Sequence, residues 1–462
     1  MTEPSVLRSA RRRYATVCAL FWFPVGLSVA PQVLLLTERG MTLAAIAGLF
    51  AVYSLTVAVL ELPTGGLSDV IGRRTVLAAA GVLNLTALTF VGLGTTPWVL
   101  TVGLVLMGTG RALSSGPAEA WYVDTVQRHS GPGADLRTGL ARGSSATSAA
   151  LATGTLLGGA LPWLLGLGPD IGARLSEATS GTVLPLSVPL LLGAAIQIAF
   201  VLRVLTALRE PPRPKAALRG VLRSIPVTAV GGLRLGVRDA LVARVFLSAG
   251  AVGGALGAIE LLTPRRAAAL TGASESGAVL YAGLACAGFV CFGMGSHFAP
   301  LAARVTGSGE RAVLAGFGIM VTGLSLLGAT AGLTSMVPTA VAALGYGLVY
   351  VGLGAAEPNV NALLHRRVAS SGRATALSVK SLALQLVGAL TGLVVGAVRP
   401  GPLPWLLAGT VLLAGTVLWI RRSEPAAPSV AASDPHRTYS DERGSPEPRQ
   451  SEVRTGREHV RE

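Results

Sequence analysis

Apolar runs of about twenty residues recur along the chain and are separated by short polar breaks. A helix needs about 20 apolar residues to cross the hydrocarbon core of a bilayer. Helices are expected there because they satisfy their own backbone hydrogen bonds in lipid. The pattern therefore predicts an all-α integral membrane protein with twelve spans, at 14–36, 41–67, 75–95, 98–123, 138–166, 183–207, 241–263, 275–301, 311–333, 336–359, 374–398 and 403–420.

The composition agrees with a membrane protein. Of 462 residues, 51% are hydrophobic and only 13% are charged, which is a low charged fraction for a soluble domain. The three cysteines, Cys18, Cys286 and Cys291, lie in apolar runs without the spacing of metal ligands. We therefore expect no metal site, no disulfide framework and no cofactor.

Basic residues alternate between the loops. The amino terminus and the loops after spans 2, 4, 6, 8 and 10 are rich in Arg, whereas the loops between them hold few cations. Basic loops stay in the cytoplasm, so both termini are expected there and the protein in the plasma membrane, as a multi-pass chain. The net charge of +15 then reflects topology and contact with membrane lipid, and no nucleic-acid partner is expected.

The longest polar break divides the spans into two groups of six. It covers 208–239 and predicts a cytoplasmic linker between an N-terminal bundle at 1–207 and a C-terminal bundle at 240–420. Residues 421–462 are rich in Pro and Ser and lack apolar periodicity, so they predict a disordered cytoplasmic tail.

The two halves share a sequence pattern. A G-x-G pair begins at Gly108 in span 4 and at Gly345 in span 10, which are 237 residues apart. Glu119 and Glu357 follow in the same spans, 238 residues apart. The pattern predicts parallel six-helix repeats, a plan in which transporters bind substrate at the interface of the repeats.

The end of span 2 carries a motif, GGLSDVIGRR, from Gly65 to Arg74. It resembles the G-x-L-x-D-x-x-G-R-R signature found in the same loop of the major facilitator superfamily. The resemblance extends over the membrane-embedded body through helix count, central linker and topology. It implies two pseudo-symmetric six-helix bundles and transport rather than catalysis.

In that family the motif latches the two halves, and an acid at the end of helix 4 often joins it. The resemblance assigns this latch to Gly65, Asp69, Gly72, Arg73, Arg74 and Asp124. Asp69 and Arg73 are four residues apart, a spacing at which side chains meet on a helix. Ordinary turn chemistry is the alternative. The corresponding stretch of the second half, 295–300, lacks the Asp, so latching is expected on one side only.

Two further stretches carry a partial resemblance. Arg111, inside span 4, should face the bundle interior, and it is similar to a helix 4 arginine linked to proton coupling in the family. Its alternative is a structural partner for a nearby acid. Residues 154–159, GTLLGG, resemble a helix 5 motif of family antiporters with Thr155 in place of Pro, which favours export. A packing face of small residues is the alternative.

Three acids lie within predicted spans. Glu61 is eight residues before Asp69, about 12 Å deeper along a helix. A carboxyl group removed from water holds its proton more readily, so such an acid can couple transport to a proton gradient. We predict Glu61 as the first proton site, followed by Glu119 and Glu357. A structural acid, hydrogen-bonded or paired with Arg, is the alternative for each. Glu260, beside the predicted outer end of span 7, is expected to be an interfacial charge.

The remaining polar and aromatic residues in the spans are few. Those that we predict to line a substrate cavity are Trp22, Gln32, Trp121, Tyr346, Tyr350, Asn359 and Gln385. Such a cavity suits a hydrophobic or amphiphilic small molecule. The sequence thus predicts a monomeric, proton-coupled exporter of a drug-like compound or secondary metabolite. Uptake of a nutrient or precursor is the alternative, and a membrane enzyme or sensor is disfavoured by scattered histidines.

Overall fold

The apolar runs form long helices. The computed structural model describes residues 5–131, 133–208, 210, 234, 236–368 and 373–420, and no strand occurs among them. All of these residues belong to one compact unit, Met1–Arg422. Most of the predicted linker and all of the predicted tail lie outside the described residues. The helices are α1 Ser5–Val29, α2 Gln32–Glu38, α3 Leu43–Ile71, α4 Arg73–Leu93, α5 Pro97–Ser114, α6 Pro117–Ser130, α7 Arg137–Leu165, α8 Ile171–Ala178, α9 Val188–Ala207, α10 Ala240–Thr271, α11 Ser274–Thr306, α12 Gly309–Ala329, α13 Met336–Arg367, α14 Arg373–Ala397 and α15 Pro402–Val417.

The predicted membrane fold is confirmed. In the described part of the chain, ten helices are long and apolar enough to cross a bilayer, with α5 and α6 counted as one. The number rises to eleven if α1 and α2, which meet at a bend of 42°, form one span. The shorter apolar helix α15, with 16 residues, occupies the position of the twelfth predicted span.

The helices pack in the same order in both halves. Successive neighbours in the first half are α3, α5, α4, α9, α1 and α7, and in the second half they are α11, α13, α12, α15, α10 and α14. Each helix therefore has a counterpart, as the sequence repeat predicts. The halves meet chiefly where α3 packs against α14 and α7 packs against α11.

Each end of the bundle carries its own cations. The basic end carries the turn at Gly72 together with Arg137 and Arg367, and the far end carries Arg39 and Arg266. At the far end, the Arg39 guanidinium donates to carbonyls at the end of α4, including that of Gly94 at 2.6 Å. Arg266 does the same for α12, reaching the carbonyl of Thr330 at 2.7 Å. Corresponding helices are thus capped by corresponding arginines, which supports the repeat.

One predicted span is interrupted. The run 98–123 breaks after Ser114, where Gly116 has φ +91° and Pro117 begins α6. Glycine accepts this backbone conformation, and proline favours the first turn of a helix. The span is therefore a broken helix with Glu119 in the first turn of its second piece.

Three helices of the second half, α10, α11 and α13, are longer than predicted, and α13 runs past 359 to Arg367. Helix α10 runs past 263 to Thr271 with Pro264 inside it. Membrane helices tolerate such a proline because neighbouring groups satisfy the freed carbonyl. Helix α11 continues past 301 to Thr306, so the stretch 295–300, which corresponds to the motif of the first half, lies within a helix.

Candidate functional site

A cavity of about 390 Å³ lies between the two halves. Its volume falls in the range of about 300–1,000 Å³ that is common for ligand pockets. Residues of α1, α2, α3 and α5 line it from the first half, and residues of α10, α11, α13 and α14 line it from the second. Its lining includes six aromatic rings: Phe50, Tyr53, Tyr281, Phe289, Tyr346 and Tyr350.

The structure brings four of the seven predicted lining residues to this cavity. Trp22, Trp121 and Asn359 do not line it. Trp121 is buried in an apolar cluster of the first half. Asn359 donates to the carbonyls of Ala299 and Ala355, which ties α13 to α11. The four residues that do line the cavity are Gln32, Tyr346, Tyr350 and Gln385.

Helices α3 and α14 contact each other on both sides of the cavity lining. Towards the far end, Gly396 lies so close to α3 that a Cβ added to it would be 2.6 Å from the Cβ of Ala47. Towards the basic end, the Ser381 hydroxyl donates to Glu61 Oε2 at 2.8 Å. Gln385 lines the cavity between these two contacts. The predicted proton site Glu61 thus lies on the seam between the halves.

The other seam, between α7 and α11, also has a close backbone contact near the far end. A Cβ added to Gly159 would be 2.5 Å from the carbonyl oxygen of Ala278. Nearer the middle, the Cys286 Sγ lies 3.5 Å from the carbonyl oxygen of Ala152. Small residues permit this approach of the backbones. The far end is therefore closed by backbone packing, whereas the Glu61 contact is polar.

Glu357 forms an ion pair within the second half. Its Oε1 lies 2.5 Å from Lys380 Nζ, and Lys380 also donates to Asn361 Oδ1 at 2.8 Å. Asn361 in turn donates to the same Glu357 oxygen at 3.3 Å. This geometry matches the alternative given for these acids, a structural acid paired with a cation, although the cation is Lys and not Arg. Proton coupling through Glu357 stays a prediction that the pairing disfavours.

Glu119 has different surroundings. It is exposed in the first turn of α6 and lines a second cavity of about 470 Å³ together with Tyr14, Gly143, Ser144 and other residues of α7. Helices α7 and α14 begin at Arg137 and Arg373, which are 236 residues apart, and Ser144 lies the same 236 residues before Lys380. The first half therefore has a serine where the second half has the lysine that neutralises its acid.

Arg111 contacts an aromatic ring. Its guanidinium carbon lies 4.8 Å from the centroid of the Trp22 ring, a cation–π arrangement between α5 and α1. Among the described residues, no ion pair joins Arg111 to an acid. The alternative of a nearby acidic partner is therefore not observed, and a role in proton coupling stays a prediction.

The predicted latch is present in part. Arg73 pairs with Asp124 and donates to the carbonyl of Ala120, while the Asp69 side chain lies outside the described residues. Gly72 has φ +105°, the turn conformation that glycine permits. The backbone amide of Arg74, which begins α4, donates to Glu210 Oε1 at 3.1 Å.

Two acids at the basic end, Glu210 and Asp239, have partners that the sequence did not predict. Glu210 contacts the start of α4 from the predicted linker. Asp239 caps the start of α10 and pairs with Arg367 at 2.9 Å. The second half thus has its own ion pair at the basic end, made of residues outside the motif. Short-range spacing does not reveal such pairs, because their members come from distant helices.

The prediction that Glu260 is an interfacial charge is wrong. It lines the central cavity, and α10 continues for eleven residues beyond it, about 16 Å. Pro264 and Arg265 mimic the end of a span, which made Glu260 look interfacial. The signal that would have found it is an acid within an apolar run.

Comparisons with known proteins agree with this geometry. A family model described as Major Facilitator Superfamily matches residues 15–392. A search of curated proteins finds no match. The crystal structure of the nucleoside transporter NupG has a TM-score of 0.69 at 11% identity and covers 89% of this chain and 98% of its own.

A second solved structure is similarly close. It is a bacterial homolog to the human lysosomal transporter Spinster, in an inward-facing and occupied conformation. It has a TM-score of 0.67 at 16% identity and covers 91% of this chain and 97% of its own. At these identities the likeness shows the fold alone.

Proposed function

The chain belongs to the major facilitator superfamily of membrane transporters, and on that premise we propose that it exports a hydrophobic or amphiphilic small molecule in exchange for protons. The observation that carries this proposal is the hydrogen bond from Ser381 to Glu61. It joins the two halves at the edge of the cavity through a group that can gain and lose a proton.

The protonation state of Glu61 would bias this seam. A hydrogen bond to an ionised carboxylate is roughly twice as strong as a neutral one. With Glu61 ionised, the contact with Ser381 holds α3 and α14 together on the basic side. With Glu61 protonated, the contact weakens and the basic side opens more readily. Rocking of one repeat against the other then exposes the cavity alternately to the two sides.

These states form an exchange cycle. We place the basic end in the cytoplasm because its loops carry most of the cations. Substrate enters there, Glu61 releases its proton, and the basic side closes. The far side then opens, substrate leaves, and a new proton binds Glu61. Each turn moves protons inward and substrate outward.

The cavity and the other acids support this assignment. The cavity lining is mainly apolar and aromatic, which suits an amphiphile. Glu119 is a second proton site because it faces a cavity and, across the described residues, forms no ion pair. Glu357 has a structural role because Lys380 neutralises it.

Inside-out vesicles that contain the full chain test the direction and coupling. With an acidic lumen imposed, we expect tetraphenylphosphonium or the neutral triphenylphosphine oxide to accumulate in the lumen while protons leave it. Vesicles without the chain are the control. Accumulation that requires an alkaline lumen would show uptake symport instead. The absence of proton-linked movement of both probes would contradict the proposal.

The orientation has its own test. A cysteine at position 74, in a chain whose three native cysteines are serine, is expected to resist an impermeant maleimide in intact cells. It should react after the membrane is permeabilised. Labelling in intact cells would place the basic end outside and overturn the cycle.

A further inference from the structure

Among the described residues that line the central cavity, Glu260 is the one charged side chain, and none of them is Lys, Arg or His. Gly253, Leu256 and Gly257 lie on the same face of α10 as Glu260 and also line the cavity. The neighbours Ile259 and Leu261 are buried, whereas Glu260 is exposed. The carboxylate is therefore accessible through the cavity.

The Glu260 carboxylate has no polar partner among the residues that the structure describes. Across the described residues, no hydrogen bond or ion pair to Glu260 is formed. A charge in weakly polar surroundings is costly unless an opposite charge compensates it. A cationic ligand in the cavity would supply that compensation.

Aromatic rings surround the same space. Four of the seven tyrosines of the chain line the cavity together with Glu260: Tyr53, Tyr281, Tyr346 and Tyr350. The Tyr346 and Tyr350 rings lie 4.9 Å apart and present a continuous aromatic surface. Aromatic faces attract cations, most strongly where water is excluded.

We propose that Glu260 and these tyrosines form a binding site for a lipophilic monovalent cation. This inference rests on the proposed transport function and narrows its substrate class. Glu260 anchors the positive charge, and the rings cover the apolar groups of the ligand. Glu260, Tyr281, Tyr346 and Tyr350 belong to the second half, and Tyr53 lies on α3 of the first half, so the site spans both halves. It does not include Glu61 on the seam.

The test compares two probes of similar shape and different charge on purified full-length protein in nanodiscs. Tetraphenylphosphonium carries one positive charge, and triphenylphosphine oxide carries none. We expect Glu260→Gln to weaken binding of the cation about tenfold and to change binding of the oxide by less than about twofold. Glu177→Gln, which removes an exposed acid of α8, should change neither.

A second variant keeps the test independent of folding. Glu260→Asp retains the charge and should retain most of the preference for the cation. An unchanged cation affinity in Glu260→Gln would overturn the proposal. Equal weakening of both probes would also overturn it, as would a wild-type protein without preference for the cation.

Vesicle transport separates this proposal from the proposed function. If Glu260→Gln still exchanges protons for the oxide and loses only the cation, both proposals stand. If wild type binds the cation through Glu260 but moves neither probe with protons, the site stands and the proposed function fails. If Glu260→Gln loses proton exchange with the oxide, Glu260 carries the proton and the cation site is wrong.

Discussion

Lys380 and Glu357 form a partly buried ion pair beside the seam between the two halves, with 2.5 Å between Nζ and Oε1. Only 8% of the Lys380 residue surface is exposed, and Asn361 bonds to both partners. The next residue, Ser381, contacts Glu61 of the other half. The pair therefore fixes α14 against α13 at the level where α14 meets the proposed proton site.

Removing one member of this pair should destabilise the protein more than removing both. Lys380→Met leaves Glu357 without its cation, and we expect the free energy of unfolding to fall by about 2 kcal/mol, since Glu357 is partly exposed. Lys380→Met combined with Glu357→Gln should recover most of this loss. Thermal unfolding of Lys380→Met, Glu357→Gln and the double variant measures the coupling, and additive losses would contradict it.

A lysine introduced into the first half should neutralise Glu119, as Lys380 neutralises Glu357 in the second half. Ser144→Lys places a cation beside Glu119 at the position that corresponds to Lys380. We expect proton-coupled transport to fall as far as it does in Glu119→Gln, because the acid is neutralised in both cases. Proton flux in vesicles measures the effect. Ser145→Lys, on the adjacent exposed position, is the control, and equal inhibition by it would rule out this role for Glu119.

A large side chain at the seam between α7 and α11 should hold the far end of the bundle open. A side chain at Gly159 collides with the backbone at Ala278, so Gly159→Leu is expected to keep the halves apart there. Spin labels on Arg174 and Leu333, both exposed near the far end, should then report a longer distance. Gly283→Leu, where the added side chain meets open space, should leave the distance unchanged. An unchanged distance in Gly159→Leu would show that this contact does not close the far end.

Loss of the Arg73–Asp124 pair should change the access of a maleimide to the cavity lined by Ser148 more than it changes the stability of the protein. The Asp124 side chain is 42% exposed, so the pair is expected to contribute less than about 1 kcal/mol. Asp124→Asn should leave the unfolding temperature nearly unchanged and speed the maleimide labelling of a cysteine at Ser148. Asp170→Asn, which changes a cap of α8, is the control. A large loss of stability without faster labelling would identify Asp124 as purely structural.

The helices could be predicted because the bilayer ties their length directly to apolar runs. Helix α4 at Arg73–Leu93 lies within two residues of its predicted span. The sequence pattern did not predict the break at Gly116, because apolar residues continue on both sides of it. The Gly116–Pro117 dipeptide is a turn signal that would have marked it. Helix α10 was cut short because Pro264 resembles a stop, although neighbouring helices in a membrane compensate for proline.

Contacts of the site were predictable only where a known sequence motif includes them. The Arg73–Asp124 contact followed from a motif, whereas Ser381 lies 320 residues from Glu61 and no spacing connects them. Lys380 gave a usable signal, since it is one of two lysines in the chain and lies inside a predicted span. Its partner could not be chosen without the packing of α13 against α14.

Proton-driven accumulation by Glu61→Gln is the most direct test of the central claim. The measurement follows tetraphenylphosphonium and triphenylphosphine oxide in inside-out vesicles, first with an acidic lumen and then as exchange without a gradient. Glu177→Gln is the control for removal of a negative charge. We predict that Glu61→Gln loses accumulation and keeps exchange, because the seam no longer responds to protons. Undiminished accumulation in Glu61→Gln would contradict the account.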